Sequence, residues 1–194
     1  DAGKAWGYVK DVPFKSLDNL VDNLVDRVSK NGYLLLNVGP KPDGSIPAEA
    51  KELLRGMGRW LQVNGEAIYG TTPWLEAGEG PTKLKPKAAG LAFKEDSYLS
   101  FTSEDIRFTV KGNNLYATVL AWPGEKVLIK TLARHGSWTL LYPSEIASIT
   151  MLGDGRPLKW ELTKDGLLVE TPKVKPCDCA FVFKIVRQSP FSGR

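Results

Sequence analysis

Four carboxyl groups, Asp43, Glu49, Glu52 and Glu66, lie within one short stretch of the chain. Two carboxyls about 5 Å apart across a sugar ring would equip a retaining glycosidase, one as nucleophile and the other as acid and base. The local contexts point elsewhere. Asp43 stands in Pro-Asp-Gly-Ser, a turn sequence. Glu49 follows Pro47 at a helix start, where negative charge suits the positive terminus, and Glu52 falls on the polar side of the same helix. No catalytic residue is expected among them. Cys177 and Cys179 are separated only by Asp178, whereas zinc sites usually space their ligands by two to four residues and need a second pair. The single histidine, His135, is far away in an Ala-Arg-His-Gly-Ser turn and reads as an exposed loop residue, so no metal site is expected. A disulfide across so tight a spacing would be strained, and the two cysteines read as strand residues near the last hairpin, one facing the core. Trp122, Trp138, Tyr142 and Trp160 leave two readings open, a carbohydrate-binding face or core packing, with core favoured because aromatic residues suit strands.

The elements that would position any site begin with Tyr33, Leu34, Leu35 and Leu36. This continuous apolar run, bounded by Asn31-Gly32 and Gly39-Pro40, is the pattern of a strand buried on both faces. Asn37 ends it, at the carboxyl end from which barrel enzymes build their active sites, and a hydrogen bond to substrate or to the following loop is open to it. After a turn containing Pro42, Asp43, Gly44 and Ser45, Pro47 opens a helix whose stripe is Leu53, Leu54, Met57, Trp60 and Leu61. Upstream, Ser16 is a candidate N-cap for a helix with apolar residues at Leu17, Leu20, Val21, Leu24, Val25 and Val28, stopped by Asn31-Gly32. Gly3, Gly7 and Pro13 around Trp6 and Tyr8 suggest a loop leaving a strand whose body lies upstream. The order is loop, helix, strand, helix. A buried parallel strand without neighbours would leave its N–H and C=O groups unpaired, so residues 1–74 read as the terminal fragment of a (β/α)8 TIM-like barrel.

Composition then shifts. EAGEGPTKLKPK is too poor in apolar residues to pack, and residues 75–104 are expected to be linker and surface loops. From residue 105 the period becomes two: Ile106, Phe108 and Val110 alternate with Arg107 and Thr109, and a turn at residues 111–114 leads to a returning strand. Further short strands follow at residues 127–129, 146–152, 158–162, 167–170 and 180–186, describing an antiparallel β-sandwich over residues 105–194. The fold class is therefore α/β followed by all-β.

At 194 residues, 42 % hydrophobic and 25 % charged, the chain is that of an ordinary globular protein with a substantial core. The net charge of +4 comes from scattered lysines without a basic patch, which argues against a nucleic-acid partner. No apolar run approaches the roughly 20 residues needed to cross a bilayer, so no membrane span is expected. DAGKAWGYVKD carries no signal-peptide pattern; a secreted, periplasmic or lysosomal location would require such a signal in an upstream portion.

NGYLLLNVGPKPDGSIP followed by WLQVNGEAIYGTTPW strongly resembles the end of the catalytic barrel in the α-L-fucosidase family, glycoside hydrolase family 29. AWGY and SLDNLVDNLVDRVSKNG resemble it at the same spacing, while the later part resembles the family's C-terminal β domain in pattern. The resemblance implies removal of terminal α-L-fucose with retention, without metal or cofactor. It places the nucleophilic Asp and the acid/base Glu before AWGY, so no catalytic residue falls in this chain. Trp6 matches the aromatic that packs against the fucose ring, its other reading being a core aromatic that wedges the loop, and with Asn37 it is the candidate substrate contact. The implied partners are a fucosylated glycan or glycoside and the missing N-terminal barrel portion. The other reading is a carbohydrate-binding or structural β-sandwich module carrying a barrel remnant.

Overall fold

A computed structural model describes residues 7–82, 100–133 and 143–188. The first helix, α1, is Leu17–Ser29, and the Ser16 hydroxyl accepts the Asn19 N–H at 3.1 Å, satisfying one of the donors a first turn leaves open. Its end is set by Asn31, which turns left-handed at φ 60°. There the Asn31 N–H donates to the Val28 carbonyl at 3.1 Å and the Gly32 N–H to the Arg27 carbonyl at 2.8 Å, the paired bonds that close a helix. The second helix, α2, is Ala48–Asn64. Pro47 occupies its cap, with ψ 144°, and not its first helical position as expected from sequence. A 3-10 turn, Gly65–Ala67, finishes it.

Among the described residues eight strands follow: β1 Thr72–Glu79, β2 Ile106–Lys111, β3 Asn114–Val119, β4 Lys126–Ile129, β5 Ile146–Met151, β6 Trp160–Leu162, β7 Leu167–Glu170 and β8 Phe181–Arg187. They form two antiparallel sheets, β1-β2-β3-β8-β5 and β4-β7-β6. The hairpin expected around residues 111–114 is present, with Lys111 paired to Asn114. The two sheets enclose a core that includes Phe108, Leu115, Phe181, Phe183, Ile149 and Leu167.

Two sequence expectations are corrected. Residues 75–79 are not linker but belong to β1, which pairs through Thr72, Pro73, Gly78 and Glu79 with β2. The register slips between Pro73 and Gly78, so Leu75 and Glu76 stand exposed at an edge while Trp74 stacks edge-on against Phe108 at 5.1 Å. That bulge is why the segment lacks an alternating pattern. Residues 33–36, in turn, are not buried on both faces: exposed and half-buried residues alternate along them, and among the described residues they belong to no ladder.

The five-stranded sheet is itself covered on both sides. Its outer face presents Tyr116 and Val182 to Leu20, Val21 and Val25 of α1 and to Met57 and Trp60 of α2. Arg107 and Thr109 of β2 are consequently buried, and each has a partner. The Thr109 hydroxyl donates to the Ala67 carbonyl at 2.8 Å. Arg107 Nε donates to Asp26 at 2.6 Å, and Nη1 to the carbonyls of Glu79 at 3.1 Å and Ile106 at 3.0 Å. The Trp60 indole N–H points at the carbonyls of Cys179, 2.8 Å, and Ala180, 2.9 Å. Helices and sheet thus form one hydrophobic unit fastened by buried polar bonds.

Removing one partner of a buried ion pair costs about 3–5 kcal/mol when it strands the other charge, and because Lys30 stays 2.7 Å from Asp26 the low end of that range applies here. Arg107→Met should lose stability on that scale in urea unfolding followed by tryptophan fluorescence. A loss below about 1 kcal/mol, the range of exposed pairs, would contradict the burial of this one.

Candidate functional site

The stretch with most resemblance to a site wall is residues 33–39 and the loop that touches it. Alternate side chains point to opposite sides, as extended backbone requires. Leu34 and Leu36 pack onto the core shared by α1, α2 and the outer sheet face. Tyr33 and Leu35 are 94 % and 87 % exposed. Among the described residues no strand pairs with residues 33–36 on either side. Asn37 is exposed at the end of this run. Two residues on, Gly39 meets the chain that follows Trp6: a Cβ added there would lie 2.7 Å from the Tyr8 nitrogen and 2.8 Å from the Gly7 carbonyl carbon. Trp6 itself is outside the described residues. The structure brings its immediate neighbours, Gly7 and Tyr8, against the loop that leaves Asn37.

The loop is ordered by its own hydrogen bonds. Asp43 accepts the Ser45 N–H at 2.9 Å and the Ser45 hydroxyl at 2.7 Å, while the Lys41 N–H donates to the Ser45 carbonyl at 2.8 Å. Those bonds, the hydroxyl's first, hold the Asp43 carboxyl below its ordinary range. Glu52 is held low by its bond from Arg59 at 2.7 Å. Glu66 is held low by Lys184, 2.6 Å away, against the effect of burial and with help from the Tyr116 hydroxyl at 2.8 Å. A general acid needs a raised pKa, and these three are shifted the wrong way. Glu49 lies exposed in the first turn of α2.

Among the described residues no group of His, Cys, Asp and Glu could hold a metal. Cys177 and Cys179 are free thiols in the bend before β8 and not in a strand, with Cys179 buried. The chain must turn there to place the Cys179 and Ala180 carbonyls over Trp60. Burial raises both thiols, Cys179 to about 12, so neither is a ready thiolate. Trp122 packs edge-on against Phe181 at 4.8 Å and Trp160 against the inter-sheet core, which makes both of them packing residues. His135, Trp138 and Tyr142 fall outside the described residues. No helix among those described is long and apolar enough to cross a membrane.

Sequence reasoning overlooked three polar residues, Asp22, Asp26 and Arg107, all buried between α1 and the sheet. A signal for them exists. Asp18, Asp22 and Asp26 recur every four residues, one position after the apolar positions Leu17, Val21 and Val25, which places them beside the buried stripe.

Comparison with known proteins bears on the whole chain. The family model described as alpha-L-fucosidase matches residues 1–66, and that described as alpha-L-fucosidase C-terminal domain matches residues 100–186. An alpha-L-fucosidase of Branchiostoma floridae is 33 % identical over 190 residues, covering 94 % of this chain and 36 % of its own. The plasma alpha-L-fucosidase of Homo sapiens is 33 % identical over 179 residues, covering 88 % and 32 %. The crystal structure of a Thermotoga maritima alpha-fucosidase in complex with fucose superposes with a TM-score of 0.72 at 32 % identity, covering 95 % of this chain and 38 % of that one. The chain spans about a third of the length of the curated relatives it matches.

Gly39→Ala should force the Gly7–Tyr8 backbone aside, costing about 1–3 kcal/mol as overpacking does, whereas Gly7→Ala meets open space and should cost less. Thermal unfolding of the two variants, with hydrogen exchange at the Tyr8 amide, checks this. Equal behaviour would show that the crossing is not formed.

Proposed function

The chain belongs to the α-L-fucosidase family, glycoside hydrolase family 29, and on that premise we propose that it supplies the closing part of the catalytic barrel and the C-terminal sandwich of a retaining α-L-fucosidase. In this reading residues up to 71 are the barrel's last loop, helix, strand and helix, and β1 already belongs to the sandwich. The observation that carries it is the run at residues 33–36, extended, apolar and without a strand partner among the described residues. Such a strand fits between two others, and Tyr33 and Leu35 would then become covered.

The complete enzyme would release terminal α-L-fucose with retention, through a glycosyl intermediate on one carboxylate with a second as acid and base. Both carboxylates would come from the portion that precedes this chain, in keeping with the lowered pKa of Asp43, Glu52 and Glu66. The substrate would be a fucosylated glycan or glycoside. Trp6 would offer its indole face to the C–H face and methyl group of fucose, and Asn37, at the carboxyl end of its strand, would donate or accept a hydrogen bond at the rim. The contact of Gly39 with Gly7 and Tyr8 supports that placement by setting the two loops side by side. A carbohydrate-binding module is the weaker reading, because Trp122 and Trp160 pack against the inter-sheet core and Lys175 lies over the Trp122 ring at 5.4 Å.

Two assays follow. The 194-residue chain alone should not hydrolyse an aryl α-L-fucoside above background, and adding the upstream barrel portion of a relative should restore turnover. Turnover by the chain alone would overturn the proposal. In the reassembled enzyme Trp6→Ala should lower kcat/KM by roughly three- to tenfold, since an aromatic contact is worth about 0.5–1.5 kcal/mol. Leu35→Asp should prevent reassembly.

A further inference from the structure

Helix α1 carries Asp18, Asp22 and Asp26 one turn apart, and they do not share one environment. Asp26 is matched by Arg107 Nε at 2.6 Å and by Lys30 Nζ at 2.7 Å. Asp22 is 1 % exposed, and its Oδ1 has no hydrogen-bond partner among the described residues. The charged and titratable groups around it are Asp18 and Asp26 from its own helix, Arg107 and Asp105 from β2 and the residue before it, and the Cys179 thiol from the bend ahead of β8. Arg107 is the cation among these, and its Nε and Nη1 are already bound to Asp26 and to two carbonyls. Asp105 is fixed as a carboxylate by four bonds, from the N–H and hydroxyl of Thr82 and of Thr102. An ionised Asp22 would bring one more negative charge into a buried cluster that already exceeds its cations. A buried carboxyl so placed takes a proton instead.

We infer that Asp22 is a proton-operated latch between α1 and the sheet: protonated, it lets the helix sit against Arg107 and Asp105, and on ionising it pushes the helix away. Burial, then Asp18, push this carboxyl up to about 8, while Arg107 pulls the other way. Its ordinary value, the one that applies in the unfolded chain, is 3.8. Between these values the unfolded state has released the proton that the folded state still holds. The contribution of Asp22 is therefore fully present below about 4 and is lost as pH rises to about 8. Asp18, raised by burial, acts in the same direction. Asp105 and Glu66, held low, act in the opposite direction and only under more acidic conditions. Because α1 runs through the turn at Asn31 and Gly32 into residues 33–36, a loosened helix also loosens the seat of that run.

The test compares the full chain with Asp22→Asn and Asp22→Leu by thermal unfolding between pH 5 and 9, alongside isotope-edited infrared spectroscopy of aspartate carboxyls. The native chain should lose about 5–10 °C in Tm between pH 6 and pH 8. Asp22→Asn should lose clearly less and be the more stable protein at pH 9. The native chain should show a protonated-carboxyl band at pH 6 that disappears by pH 9 and is missing from Asp22→Asn. Asp22→Leu separates the latch from a merely structural polar role: without a partner to lose, it should fold and keep only the pH dependence that Asp18 supplies in the same window. The inference is overturned if the native chain lacks the band at pH 6, if Asp22→Asn keeps the native pH dependence, or if Asp22→Leu does not fold.

Discussion

The helices keep their place because the outer face of the five-stranded sheet is polar at the points where they need it to be. Arg107 and Thr109 alternate with the inward Ile106 and Phe108, and on an uncovered sheet they would face water. Here they face Asp26 of α1 and the Ala67 carbonyl at the end of α2. Apolar contact alone is non-directional and would let the helices slide. A guanidinium with three fixed acceptors, and an indole N–H aimed at the carbonyls of Cys179 and Ala180, set one position. The energy comes mainly from Leu20, Val21, Val25, Met57 and Trp60, and the geometry from the polar bonds among them.

From that docking the candidate site follows. With α1 fixed, the left-handed Asn31 launches residues 33–36 along the top of the helix-and-sheet core, where Leu34 and Leu36 find cover and Tyr33 and Leu35 do not. With α2 fixed, the turn at residues 41–45 is closed by Asp43 and Ser45, and Gly39 is brought under the backbone of Gly7 and Tyr8. In the function proposed above, the sandwich would act as the bracket on which a wall of the sugar site is mounted. On that proposal a change at Arg107 or Asp22 would be felt as a displaced wall, since 1 Å of misplacement is enough to slow catalysis.

Much of this was legible in the residues. The helix of residues 17–29 showed in its period, its Ser16 cap and its Asn-Gly stop, because all three are local effects. The hairpin around Gly112 and most sandwich strands showed for the same reason. Edge strand β1 did not, because a bulge breaks the alternation that a sequence can display. The buried pair of Arg107 and Asp26 joins residues that no local pattern connects, and its existence depends on which sheet face the helices cover. The run at residues 33–36 shows both sides of this: its apolar pattern described a doubly covered strand, and the described residues cover one side of it. Asn37 was read from the sequence as the polar end of the apolar run, whereas the approach of Gly39 to the loop after Trp6 is a property of the fold alone.

Everything functional in this picture rests on residues 33–36 being a strand whose neighbours belong to another part of the protein. Backbone hydrogen exchange reads that directly, because an amide paired in a ladder is protected and an unpaired one near the surface is not. In the chain alone, the amides of residues 33–36 should exchange near the unprotected rate while those of β3 and β8 exchange slowly, and adding the upstream barrel portion should protect them by orders of magnitude. Protection of residues 33–36 in the isolated chain, at the level of β3 and β8, would mean that the run is already paired and that no missing strands are required.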